Sequence, residues 1–248
     1  MKPKVAFFEF TSCEGCQLQV VNLEDEMLDV ANSVEIVNFR EAISDHGQDY
    51  QIAFIEGSIS RPADEARIRK IRRQAQVLVA IGACACTGGL NALKNKFPSE
   101  DYKKYVYQDK AHYPAFDTYA ARPISAVVKV DYEIPGCPIT KSEFVSVLKA
   151  LLLGNKPEIP DYPVCVECKM KDNVCLYQRN QTCMGPVTKA GCGAICPSFG
   201  SPCEACRGYV SHPNVNAQRD VLAKHGLDVD QVMRCFTLFN NYNKEDRR

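Results

Sequence analysis

Cysteine placement dominates the chemistry open to this chain of 248 residues. Cys165, Cys168, Cys175, Cys183, Cys192, Cys196, Cys203 and Cys206 fall in one short stretch, and eight thiolates suffice for two four-sulfur metal sites. Cys13, Cys16, Cys84 and Cys137 lie far apart in the first half. Each comes just after a run that reads as a buried strand, so a fold that gathers those strand ends assembles a third site. Three metal sites without bond-making machinery around them point toward electron transfer.

The elements that must position these thiols follow from periodicity. Residues 4–10, 34–38, 51–55, 76–81 and 126–130 are short apolar runs rich in Val, Ile and Phe, separated by helical or charged segments. Such alternation predicts an α/β fold, a doubly wound, flavodoxin-like parallel sheet over residues 1–155. Leu18 to Val30 reads as one amphipathic helix and Arg61 to Gln76 as a basic helix opened by Pro62. Thr140 to Leu153, stopped at Gly154 and Asn155, turns Phe144, Val145, Val147, Leu148, Leu151 and Leu152 inward.

A proline-marked linker begins at Lys156. Beyond it the hydrophobic period gives way to Cys, Gly and Pro until about Gly208. That composition predicts a second, irregular domain over 156–248 which cannot fold on apolar burial alone, so bound metal contributes folding energy. Two short helical patterns, Asn216 to Lys224 and Asp228 to Phe239, and a charged tail complete it.

Lys plus Arg equals Asp plus Glu at 30 each, which gives no reason to expect nucleic acid as a partner. The apolar run after Met1 is too short for a signal segment, and no run is long enough to span a bilayer. The expected location is the cytoplasm, where reduced, clustered cysteines serve as metal ligands more often than as disulfides.

In doubly wound sheets ligands bind where the carboxyl ends of the strands open into a crevice. Cys13 and Cys16 follow the first strand, Cys84 the fourth and Cys137 the fifth, so all four can meet on one edge. Glycines at 15, 82, 88, 89 and 136 allow close backbone approach. A single free cysteine is more often a small buried hydrophobe, but four at equivalent strand ends favour ligands.

These residues also carry a resemblance. Cys13-Glu14-Gly15-Cys16, Phe54-Ile55-Glu56-Gly57-Ser58-Ile59, Gly82-Ala83-Cys84-Ala85-Cys86-Thr87-Gly88-Gly89 and Pro135-Gly136-Cys137-Pro138 resemble, in order, the signature of the [NiFe] hydrogenase small subunit. The C-terminal runs Cys183-Met184-Gly185-Pro186-Val187-Thr188 and Pro202-Cys203-Glu204-Ala205-Cys206 extend it over nearly the whole chain. The resemblance implies that Cys13, Cys16, Cys84 and Cys137 hold a proximal [4Fe–4S] cluster facing a nickel–iron centre in a separate large subunit. It further implies a distal cluster on Cys165, Cys168, Cys175 and Cys183, and a medial one on Cys192, Cys196, Cys203 and Cys206. Cysteine stands at 165 where many relatives have histidine, and at 196 where those with a three-iron medial cluster have proline. The implied branch is therefore the cytoplasmic one with three [4Fe–4S] clusters, passing electrons to a flavin- or iron–sulfur-containing acceptor subunit.

Two rivals stand beside this reading. The C-x-x-C pairs also suit structural zinc, which would make the chain a zinc-stabilised binding module. The cluster subunit of respiratory complex I is a related alternative, but it lacks the eight-cysteine extension and typically has adjacent cysteines at its first motif.

Other residues are open to two readings. Glu56, at the edge where the proximal site should lie, reads either as a proton-accepting or interface carboxylate or as a helix cap. Glu14 tunes the cluster or faces solvent. Cys86 and Cys235 read as buried spectators, and His46, His112, His212 and His225 lack ligand-like spacing. The basic run Arg61, Arg67, Arg69, Lys70, Arg72 and Arg73 is a solvated face or a dock for an acidic subunit. The aromatic set Tyr102, Tyr105, Tyr107, Tyr113, Phe116 and Tyr119 is either loop core or large-subunit contact.

Overall fold

The computed structural model describes residues 2–108, 117–226 and 234–242. Five parallel strands, β1 Lys4–Glu9, β2 Glu35–Asn38, β3 Ile52–Glu56, β4 Val77–Ile81 and β5 Tyr132–Ile134, form one sheet in the order β2-β1-β3-β4-β5. This is the flavodoxin-like winding, whose topological switch falls between β1 and β3.

Both faces of the sheet are covered, which is why its strands read as continuous apolar runs. Val5, Phe7, Phe54, Val79, Ile81 and Ile134 pack on one side, where Phe7 stacks on Phe39 and Phe54 at 4.2 and 5.0 Å between ring centroids. Helices α1 Gly15–Val21 and α2 Asp25–Ser33 cover that side together with Phe144, Val147 and Leu148 of a later helix, Lys141–Leu152. Ala6, Ala53, Ile55, Leu78 and Ala80 face the other way, against Ile68 and Ile71 of α3 Pro62–Gln74 and Ala85 of α4 Gly82–Thr87. After α5 Ser99–Tyr107, the helix Lys141–Leu152 is α6. Then come α7 Val164–Met170, α8 Ile195–Ser198 and α9 Val215–Lys224.

Two expectations are corrected. The single helix over Leu18 to Val30 is two helices, because the chain breaks after Val21, takes a positive φ of 57° at Glu24 and so turns Leu23 into the core. The fifth strand is not 126–130. Ile124–Ala126 is a 3₁₀ turn, and Val127, Val128 and Val130 pack against the second core as part of the crossover. Asp131 then docks on β4, donating its N–H to the Leu78 carbonyl (2.9 Å) and accepting the Leu78 N–H through its carboxylate (2.8 Å). Only after that anchor does the chain pair with β4, as a short edge strand.

A third core is drawn wholly from the C-terminal part: Val164, Leu176, Met184, Val187, Ala194, Ala205, Leu222 and Phe236, with Cys183 and Cys203 among them. Among the described residues Phe236 is its one buried aromatic residue, where the first core holds Phe7, Phe39, Phe54 and Phe144. Backbone here is held by capping contacts rather than by long elements, as the composition predicts. The expected helix Asp228 to Phe239 lies partly outside the described residues; Arg234–Thr237 is helical. Among the described residues no helix is long and apolar enough to cross a membrane.

Candidate metal centre

At the carboxyl edge of the sheet the loops after β1, β3, β4 and β5 are tied to one another. Phe10 N–H donates to the Glu56 carbonyl (2.8 Å), Thr11 and Ser58 exchange backbone bonds, and Ala83 N–H donates to the Gly136 carbonyl (2.7 Å). The result brings Cys13, Cys16, Cys84 and Cys137 to one place. Cys13 is exposed and Cys16 buried, on either side of Glu14, whose φ of 62° makes the tight turn into α1. Burial raises the Cys84 thiol to about 12, with Cys137, Cys13 and Glu56 adding to it. Cys16 is raised further, again by burial first, then Glu56, Cys84 and Cys137. Cys16, Cys84 and Cys137 thus each feel Glu56 as well as neighbouring thiols.

The backbone around them leaves no room for side chains. A Cβ on Gly82, where φ is +85°, would sit 2.4 Å from Cys16 Sγ, and one on Gly89 would sit 2.9 Å from the Cys84 backbone and 3.0 Å from its Sγ. Glu56, 2 % exposed, accepts the N–H groups of Cys16 (3.1 Å) and Gln17 (3.0 Å) at the start of α1. This is the helix-capping placement. Burial pushes its carboxyl up and those two bonds pull it back.

Cys165, Cys168, Cys175 and Cys183 line one apolar cavity with Val164, Leu176 and Pro197. Gly185 faces it, and a Cβ there would lie 3.3 Å from Cys165 Sγ and 3.5 Å from Cys183 Sγ. Burial raises the Cys165 thiol to about 12, and Cys183, Cys168 and Cys175 add to the shift. Burial likewise raises Cys203 to about 12 and Cys206 to about 11, and Cys206 feels Cys192 and Cys196.

The loop bearing Cys192 is clamped from two sides. Glu167, on α7, accepts the N–H groups of Gly191 (2.8 Å) and Ala194 (3.1 Å). Behind Gly191 stand Arg207 and Glu143, so close that a Cβ would meet Arg207 Nη2 at 2.3 Å. The Arg207 guanidinium donates to the carbonyls of Lys189, Ala190 and Pro135 and to both oxygens of Glu143.

Neighbouring quartets touch. Cys203 N–H donates to Cys183 Sγ at 3.4 Å, and Cys137 lies near enough to Cys206 for its backbone to lower that thiol and its own thiol to raise it. Cys203 and Cys206 thus adjoin Cys183 on one side and Cys137 on the other.

Among the described residues, no three His, Cys, Asp or Glu side chains converge closely enough to hold one metal ion. Zinc needs four donors at about 2.0–2.3 Å from a single point. A four-iron cluster takes one thiolate per iron, a wider ring lined by backbone, which the glycine cradles and facing thiols fit.

The remaining residues are placed as follows. Cys86 is buried, 3.6 Å from the Ala80 carbonyl, and Cys235 packs on the third core. His46 Nδ1 is 3.0 Å from Asn38 Oδ1, the His225 ring lies against Tyr177, and His212 is exposed. Nothing in α5 is buried and Tyr105 is 88 % exposed, whereas Tyr119 hydrogen-bonds Glu65 (2.9 Å). His112, Tyr113 and Phe116 lie outside the described residues. Sequence reasoning missed Glu143, Glu167 and Arg207. The available signal was Glu143 itself, a carboxylate one turn before Val147 on the inward stripe of α6.

A doubly wound sheet with thiols at its carboxyl edge, joined to a block whose small core is built around thiols, fits an iron–sulfur electron carrier. Comparison with known proteins gives the family. A profile described as "NADH ubiquinone oxidoreductase, 20 Kd subunit" matches residues 13–151, which include Cys13, Cys16, Cys84 and Cys137 and stop before the dense stretch. Over the longer span the chain is 34% identical to "Sulfhydrogenase 2 subunit delta" of Pyrococcus furiosus, covering 95% of this chain and 98% of that protein. It is also 34% identical to a subunit of the vhu F420-non-reducing hydrogenase of Methanocaldococcus jannaschii, covering 98% and 95%. A chain in a crystal structure of an NAD+-reducing [NiFe]-hydrogenase superposes with a TM-score of 0.57 at 29% identity, covering 64% of this chain and 96% of that one. The chain belongs to the 20 Kd subunit family and, within it, to the small subunits of [NiFe] hydrogenases. It is the electron-transferring component of an oxidoreductase whose hydrogen-activating site is in the large subunit.

Proposed function

We propose that this subunit carries three [4Fe–4S] clusters, on the proximal, medial and distal quartets, and relays electrons between the nickel–iron site and an acceptor subunit that itself carries flavin or iron–sulfur groups. The observation that carries this reading is that Cys203 and Cys206 adjoin both other sets, Cys203 N–H donating to Cys183 Sγ at 3.4 Å and Cys137 acting on the Cys206 thiol. When bound, the clusters supply one-electron carriers. The protein's part is to exclude water, to fix the thiolates with glycine-lined backbone, and to aim N–H groups at sulfur, all of which set cluster potential. Burial raises the free thiols, so loading must expel their protons.

The same reading divides the chain at 155/156, supported by the separate third core, and places the complex in the cytoplasm. Iron and acid-labile sulfide analysis of anaerobically purified complex tests the assignment. About twelve irons per copy of this subunit are expected, four for each quartet; a value near eight, or stoichiometric zinc, would sink it.

A further inference from the structure

On the face of the sheet covered by α3, a cavity of about 530 Å³ opens between that helix and the loop joining β2 to β3. It is remote in character from the thiol sites. Its volume is in the range of small-molecule pockets and far above what one water or a lone phosphate requires. No carboxylate lines it, while Lys70 and Arg73 do, one helical turn apart on the same face.

The state of the other cations makes these two notable. Arg61 is paired with Asp64 (2.9 Å), Arg67 with Glu9 (3.2 Å), Arg69 with Glu65 (3.7 Å), and Arg72 with Asp131. Among the described residues Lys70 and Arg73 have no acidic partner. Two unpaired cations at the rim of a carboxylate-free cavity suit a multiply charged anion, such as a diphosphate.

The walls suit what such an anion would carry. Phe8 and Tyr50 meet edge to face at 5.3 Å on one side. Gln48 and Gln74 offer amide donor and acceptor pairs that match an adenine edge. The loop is held in place by Gly47, whose N–H donates to the Val37 carbonyl at 2.6 Å and whose missing side chain would otherwise meet Val37 at 2.8 Å. His46 is oriented too: Asn38 Nδ2 donates to the Phe7 carbonyl (2.7 Å), so its oxygen faces His46 Nδ1 and Nε2 is the ring's remaining polar atom.

We propose that this cavity is a nucleotide site, taking a nucleoside diphosphate with its phosphates on Lys70 and Arg73 and its base against the aromatic and amide wall. The assignment is independent of the cluster reading. Isothermal titration of the purified complex with ADP and with inorganic pyrophosphate tests it, using the K70A/R73A variant and, as a charge control, Lys104→Ala on α5. All three altered side chains are exposed, so the fold should tolerate the changes. The expected result is one saturable ADP site lost or weakened at least about tenfold in K70A/R73A, retained in Lys104→Ala, and weaker for pyrophosphate. ADP titrations identical in the wild type and K70A/R73A would overturn the site, and pyrophosphate binding as tightly as ADP would overturn its assignment to a nucleotide.

Discussion

Arg207 and Glu143 meet through a two-pronged ion pair, Nη1 to Oε2 at 2.8 Å and Nη2 to Oε1 at 2.6 Å, with side chains only 1 % and 7 % exposed. The pair joins the residue after Cys206 to helix α6 of the sheet domain. It also holds the Pro135 carbonyl, two residues before Cys137. One side chain therefore fixes the middle thiol group against the sheet-edge group.

Removing one partner should be far worse than removing both. Arg207→Leu strands a buried carboxylate, at a cost of about 3–5 kcal/mol, whereas an apolar replacement of the whole pair is often near neutral. The single variant should lower the thermal midpoint of the complex sharply, and R207L/E143L should recover most of the loss. A double variant no better than the single would show that the carbonyl contacts, not the ion pair, hold the joint.

Gly82→Ala tests the sheet-edge site by geometry alone. The new methyl would occupy a left-handed φ, costing on the order of 1–3 kcal/mol, and would displace Cys16 Sγ, 2.4 Å away. Iron should fall by about four per chain, with electron paramagnetic resonance signals from the other two sites retained. Full iron content would mean that Cys16 is not a ligand.

Changing Cys137 to alanine should do more harm than changing Cys165 to histidine. On the proposed assignment the Cys137 side chain joins the exit of β5 to the thiols that follow β1 and β4. Its loss is expected to abolish hydrogen-dependent dye reduction or to block assembly. Histidine at 165 keeps a ligand, so that variant should assemble with altered acceptor kinetics. The opposite ranking would require the proximal and distal assignments to be exchanged.

Chelation should unravel the chain unevenly. The sheet has two larger apolar cores, Phe7, Phe54 and Phe144 among them, while the third is smaller and includes Cys183 and Cys203 themselves. After iron removal, limited proteolysis is expected to cut between about residues 156 and 210 and to spare the sheet. Uniform cleavage along the chain would contradict metal as the main support of the C-terminal block.

Strands β1 to β4 were legible because burial on both faces writes an uninterrupted apolar run into the sequence. The fifth was misplaced for the same reason: Val127, Val128 and Val130 are as apolar as a strand but pack in a crossover, and the real edge strand, Tyr132–Ile134, pairs on one side only. The cysteine quartets could be grouped because ligands are few in type and cluster in sequence or at strand ends. Arg207 could not be read, since its meaning depends on Glu143, distant in sequence, and charged residues ordinarily face water.

The proposed path does not follow chain order. The polypeptide finishes the sheet edge, runs out to the far group at Cys165 to Cys183, and only then returns to lay Cys192 to Cys206 between the two. The middle of that path is thus the last part to be synthesised, and it closes like a keystone on two abutments already made. With clusters on the three proposed quartets, a nascent chain halted near residue 190 would possess both ends of an electrical path and no connection between them, so an incomplete subunit would be an open circuit rather than a leaky one.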